Sequence, residues 1–444
     1  MHTDLTQGSV TGSMLRFAAP LILSNLLQQL YNVADTLIVG RVLGAEALAA
    51  VGSAFTLMTF LTSVILGLCM GSGAVFSMLW GGKREEELRS GLFVSFVLVG
   101  LVTLVITALA LLLMGPILTA LQIPDSVRGG MADYLRIIFV GLFFTFVYNY
   151  MASVLRALGN SLLPLLVLGC AAALNIVLDL FCVLTLDMGV AGAALATVIA
   201  QSASAGGLTL CAVRWAPGLL PERRHRRFRR DLAGKIAGYS VLTCLQQSVM
   251  NFGILMIQGL VNSFGVSVMA AFAAAVKIDA FAYMPVQDFG NAFSTFIAQN
   301  YGAGETGRIR KGIRSAVVTA LAFCVVISVL VALFAPQLMG LFTQPGETEI
   351  VAVGVEYLRI EGACYCGIGC LFLLYGLYRA IGRPAMSLVL TVISLGTRVA
   401  MAYALAPNPA FGLKAIWWAI PIGWGLADLA GFLWYRFGVL RRGI

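Results

Sequence analysis

The stretch LLQQLYNVADTLIVGRVLG, Leu26 to Gly44, places the carboxylate of Asp35 and the amides of Gln28, Gln29 and Asn32 inside an apolar helix. A charged Asp near mid-membrane costs at least ~2.5 kcal/mol on insertion scales. A group kept there at that cost suits a cycle in which it takes up and gives back a proton or Na⁺. A second acid follows in LNIVLD, where Asn175 and Asp179 are spaced i, i+4 and so share one helix face. Thr197 adds a hydroxyl in the next apolar segment. Two carboxyls brought close together titrate as a pair rather than as two independent acids. The competing reading is that Asp35 and Asp179 only bond helices to one another.

The elements that must position these groups are legible in the composition. The chain has 444 residues, 60% of them hydrophobic and 11% charged, with a mean hydropathy of +0.93. Apolar runs long enough to cross a hydrocarbon core, which takes about 20 helical residues, recur throughout. Twelve spans are predicted at 14–39, 46–78, 91–115, 132–155, 163–184, 190–213, 236–262, 267–298, 313–334, 352–376, 385–406 and 413–435. The runs lack the alternation of a membrane β-barrel, and helices satisfy their own backbone groups in lipid. The expected fold class is therefore all-α, a polytopic membrane protein. The polar leader MHTDLTQGSVTGS followed by a full-length span predicts an uncleaved anchor rather than a signal peptide.

The net charge of +9 is segregated. With both termini cytoplasmic, the basic residues gather in the inner regions and at the inner ends of the spans, leaving Arg41, Arg128, Arg136, Lys277, Arg359, Arg398 and Lys414 for the outer side and the rest of the spans, which meets the positive-inside rule. The densest basic run, PERRHRRFRRDL, reads as a topology-setting linker able to meet acidic headgroups. It has no nucleic-acid recognition motif beside it. The cysteines all lie in apolar spans and read as small core residues. CYCGIGC, with Cys364, Cys366 and Cys370, lacks a histidine to complete a metal set.

The linker divides an internal repeat. LLQQ at Leu26 is echoed by CLQQ at Cys244, LWGGK at Leu79 by NYGAG at Asn300, and YLRI occurs at Tyr134 and again at Tyr357. LRALGNSLLP at Leu155 answers YRAIGRP at Tyr378, and MGVAGAALA at Met188 answers FGLKAIWWA at Phe411. The offsets drift only from 218 to 223, the mark of a tandem duplication. The expected domains are an N-terminal six-helix lobe at 1–213, a basic linker at 214–235 and a C-terminal six-helix lobe at 236–444. An even number of spans per half relates the lobes by a pseudo-two-fold axis along the membrane normal.

The ordered series FAAPLILSNLLQQLYNVADTLIVGRVLG, GGKREEELR, RALGNSLLP, LNIVLD, GAALAT and QNYGAG resembles the multidrug and toxin extrusion (MATE) transporters, in the bacterial branch related to DinF. The resemblance implies an ion-coupled exporter in the cell membrane, carrying amphipathic, often cationic small molecules in exchange for H⁺ or Na⁺ by alternating access. It implies no catalytic residue, no cofactor and a monomer. Asp35, Asn175, Asp179 and Thr197 match the family's N-lobe ion site, and Pro20 its bending proline. Polar and aromatic groups facing a central cavity give the substrate candidates Gln28, Asn32, Tyr148, Asn149, Tyr283 and Lys277, with Met250 and Met256 as adaptable surface.

The C-terminal half departs from another branch, which carries a Glu in span seven and an Asp in span ten. Span seven here has no acid, and the half instead carries Lys277, Asp279, Asp288, Glu361, Arg398 and Asp428. By the repeat, Arg398 stands where the first half has Asn175. Two alternative readings stand beside this one. A prenyltransferase-type enzyme needs a second acidic motif to hold Mg²⁺, which the other half lacks, and the two histidines, His2 and His225, lie outside the spans. A lipid-linked oligosaccharide flippase of the same superfamily tends to have more spans and a strongly cationic cavity.

Overall fold

The computed structural model describes residues 4–120, 125–219, 221–225, 228–344, 346–408 and 410–439. Arg226 and Arg227 of the basic run, and the first residues of the leader, lie outside them. The described residues are helical nearly throughout, because each long apolar run closes its own backbone hydrogen bonds. The helices are α1 (Val10–Leu43), α2 (Ala45–Gly81), α3 (Glu85–Leu112), the short α4 (Met114–Ala120), α5 (Asp125–Ala157), α6 (Leu162–Leu180) and α7 (Gly189–Trp215). The second half holds α8 (Arg230–Asn262), α9 (Val266–Gly302), α10 (Thr306–Gly340), α11 (Thr348–Ala363), α12 (Tyr365–Ala380), α13 (Pro384–Leu405) and α14 (Gly412–Trp434).

Eleven spans long and apolar enough to cross a membrane occur among the described residues, and a bent pair makes a twelfth. That pair is the predicted span 352–376. It is broken at Cys364 into α11 and α12, which meet at 53°. No proline marks the break.

The duplication reappears in the backbone. Left-handed residues sit at Gly44 (φ 86°) and Gly265 (φ 106°), at Lys83 (54°) and Gly304 (76°), at Gly159 (85°) and Gly382 (87°), and at Gly189 (59°) and Gly412 (50°). Each pair is separated by the repeat offset, so the same turns end the same helices in both halves.

The described residues divide into two compact units. The first runs from Ala19 to Cys244 and the second comprises Asp4–Ala18 with the chain from Leu245 onward. The basic linker at 214–235 lies with the first unit, and α1 and α8 each contribute to both. In the first unit α5 packs on α2, α3 and α7, and α6 on α7; in the second, α12 packs on α9, α10 and α14, and α13 on α14. Aromatic side chains fill the first core where Tyr150 meets Phe76, Phe96 and Phe146, and the Tyr150 hydroxyl donates to the Leu92 carbonyl at 2.6 Å. The second core is built on Phe272 stacked on Trp417 at 5.6 Å, with Tyr357 edge-on to both. Small residues let helices approach closely, as is usual in membranes. At Gly71 an added Cβ would stand 2.5 Å from Ser240 Cα, so α2 and α8 touch backbone to backbone.

Candidate functional site

Four side chains expected to act together converge in the first unit. Asp35 comes from α1, Asn175 and Asp179 from one face of α6, and Thr197 from α7. Asn175, Asp179 and Thr197 are buried, at 1%, 0% and 4% exposure, while Asp35 is half-buried. The α6 pair is held in register by the i, i+4 spacing. In the orientation that satisfies both ends of its amide, Asn175 donates to Asp179 Oδ2 at 2.8 Å and accepts from the Thr197 N–H at 3.2 Å. The Thr197 hydroxyl is tied to its own helix, donating to the Ala193 carbonyl at 3.0 Å.

The carboxyls of Asp35 and Asp179 lie within hydrogen-bonding reach of each other. Two carboxylates cannot bond directly; the contact requires a proton on one of them. Oδ1 of Asp35 and Oδ1 of Asp179 are buried without a partner. The arrangement can therefore hold one proton between two acids and offers spare acceptor atoms when that proton leaves.

Two residues of this site escaped the sequence reading. Tyr31 bonds the Thr197 side chain and stands beside both acids, and Tyr134 on α5 is 4% exposed and faces Asp35, Asp179 and Tyr31. Signals for both were present. Tyr31 precedes Asp35 by one helical turn, and Tyr134 opens the first YLRI.

Pro20 sits inside α1, and Ser24 donates to its carbonyl at 2.7 Å. Lacking an N–H, Pro20 cannot donate the helical hydrogen bond of its position, next to the point where α1 passes from one unit to the other.

The substrate candidates are scattered by comparison. Gln28 is exposed and Asn32 half-buried on α1. Tyr148 donates to the Pro164 carbonyl at 3.2 Å and packs against Ala152, Leu155 and Leu208, and Asn149 donates to the Thr145 carbonyl of its own helix at 2.8 Å. In the second unit, Tyr283 lies 6.1 Å from the Phe372 ring, and Lys277 is exposed on α9.

The chain is similar to known proteins along its length. The MatE family profile matches residues 20–181 and again 241–404, one copy in each half of the repeat. A relative described as a probable multidrug resistance protein, YpnP of Bacillus subtilis (strain 168), is 30% identical over 437 residues, covering 98% of this chain and 97% of its own. The probable multidrug resistance protein NorM of Thermotoga maritima is 23% identical over 91% of this chain and 87% of its own. Among solved structures, an outward-facing multidrug resistance MATE transporter of the MOP superfamily superposes with a TM-score of 0.91 at 24% identity, covering 100% of this chain and 99% of that one. From its two profile matches and a full-length relative, the chain belongs to the MatE family, the multidrug and toxin extrusion transporters.

Proposed function

We propose that this protein is a secondary active exporter that moves amphipathic, often cationic small molecules out of the cell in exchange for entering H⁺, by alternating access. The observation that carries the reading is the contact between the Asp35 and Asp179 carboxyls, which favours a proton over Na⁺ as the coupling ion. With the shared proton gone the pair is anionic and draws a cationic guest toward the first unit. When a proton arrives from outside the attraction ends and the guest leaves. Tyr31, Tyr134, Asn175 and Thr197 keep the acids in place through this cycle, and Pro20 lets α1 bend as the pair changes charge. The basic linker supports cytoplasmic termini.

The energetics suffice. For one proton entering against one monovalent cation leaving no net charge moves, and each unit of pH gradient supplies about 1.4 kcal/mol, roughly a ten-fold concentration ratio; with a neutral guest, 100 mV adds about 2.3 kcal/mol. In proteoliposomes, an imposed pH gradient is expected to drive export of a fluorescent cationic dye, whereas Na⁺ alone does not. Asp35→Asn and Asp179→Asn are expected to abolish the pH-driven component. Normal rates in both variants would overturn the coupling assignment.

A further inference from the structure

The second unit carries ionisable groups that this cycle does not use. Asp279 lies in α9, Glu361 in the last turn of α11 and Arg398 in α13, and the two acids are 4% and 2% exposed. Asp279 is in electrostatic contact with both Glu361 and Arg398. Three tyrosines face the acids: Tyr283 from α9, Tyr357 from α11 and Tyr365 from the first turn of α12.

The other charges on the helices packed here lie elsewhere: Arg359 on α11 is exposed, and the buried Arg379 of α12 donates to Asn291 and Ser294 rather than to either acid. Beyond Arg314, α10 has no charged residue. On α14, Lys414 pairs with Glu356 at 3.4 Å, and Asp428 stands by Cys370 and Tyr375 instead. Lys277, two residues before Asp279, is exposed.

The charges do not balance. Two buried carboxylates face a single guanidinium, which leaves one negative charge in excess, and burying an uncompensated carboxylate is strongly unfavourable. The guanidinium does not clamp either acid. Arg398 takes part in none of the close ion pairs found among the described residues, and its Nε is buried without a hydrogen-bond partner. Asp279 Oδ1 and Glu361 Oε2 are likewise orphaned, and the Tyr365 hydroxyl, 1% exposed, faces Asp279 with no well-formed partner of its own. A group of buried donors and acceptors left open around an excess carboxylate is a site for a small positive ligand. The guanidinium beside it disfavours a metal ion and leaves the proton.

We propose that Asp279 and Glu361 form a second proton site, holding one exchangeable proton between them while Arg398 balances the remaining carboxylate. The site rests on charge balance within the second unit and is independent of the Asp35–Asp179 pair.

The proton count at the site should equal acids minus cations, and infrared difference spectra of the purified full-length protein read it through the C=O stretch of protonated carboxyls. Relative to wild type, Asp279→Asn and Glu361→Gln are each expected to lose one such band. Arg398→Gln is expected to gain one, and Asp279→Asn combined with Arg398→Gln to return to the wild-type number. The wild-type band should shift in D₂O. The acids of the first unit are present in every variant, so their role cannot produce these differences. A band unchanged by both single acid replacements, one that ignores D₂O, or one abolished by Na⁺ at fixed pH would each overturn the proposal. If one acid variant does not fold, the other reads the same count.

Discussion

Tyr134 and Tyr357 open the two copies of YLRI, and each stands beside two acids of its own unit: Asp35 and Asp179 for the first, Asp279 and Glu361 for the second. The acids themselves are not repeat equivalents, since Asp179 and Asp279 lie on helices with different places in the repeat. The duplicated framework thus kept the tyrosine and changed which helices supply the charge.

Removing one hydroxyl tests this arrangement with little damage to packing. Tyr357→Phe deletes a hydroxyl that stands beside Glu361 and Asp279, and Tyr31→Phe deletes one that stands beside Thr197. Each is expected to cost about 1 kcal/mol of stability, seen as a small drop in the thermal midpoint in detergent. Only Tyr31→Phe should also slow pH-driven dye export, by several-fold. An equal loss of export in both variants would contradict the division of tasks between the units.

The basic linker offers a pH-dependent contact. His225, 3% exposed, accepts from the Glu222 N–H through Nδ1 at 3.1 Å, so Nε2 carries the proton it donates to Glu86 Oε2 at 2.6 Å. This bond, ahead of the nearby Arg224 and Arg89, holds the Glu86 carboxyl below the usual carboxylate range. A depressed acid contributes its stabilisation in full above its unfolded pKa and loses it as pH falls through the folded value. Linker docking on α3 should therefore hold at neutral pH and loosen in acid below the ordinary Glu range. Trypsin cleavage within the linker at neutral pH should be faster for Glu86→Gln than for wild type.

Close helix approach gives a test of the first unit's packing. Gly71→Ala drives a methyl into the backbone of Tyr239 and Ser240 and is expected to cost about 1–3 kcal/mol. Gly52 is exposed in the same helix with nothing within 4 Å of an added Cβ, so Gly52→Ala should stabilise by about 0.5–1 kcal/mol. Thermal unfolding of the two variants should therefore move in opposite directions.

The repeat also marks a strained position. Lys83 adopts φ 54° where its counterpart is Gly304 at 76°. A left-handed conformation costs a residue with a Cβ roughly 1–2 kcal/mol, so Lys83→Gly should raise the thermal midpoint and Gly304→Ala should lower it.

The sequence carried the helices well, because hydropathy over about 20 residues is a signal that no tertiary contact needs to supply. The i, i+4 spacing put Asn175 and Asp179 together, but the meeting with Asp35 came from resemblance, since spacing cannot relate α1 to α6. Tyr31 and Tyr134 were passed over because a tyrosine in an apolar helix reads as packing surface until its hydroxyl's neighbours are known. The break at Cys364 was invisible for a similar reason. GACYCGIG continues the apolar run, and no proline interrupts it. Arg398, placed by the repeat where the first half has Asn175, stands near Asp279 and Glu361 without joining either in a close ion pair, which no spacing along the chain could show.

That interruption at Cys364 gives the tenth span a mechanical character of its own. A rod whose ladder of backbone hydrogen bonds tightens to i, i+3 contacts at one level flexes there with less work than a regular one. Glu361 and Tyr365 sit on either side of the joint, so any torsion of the rod is felt first by the groups that carry charge.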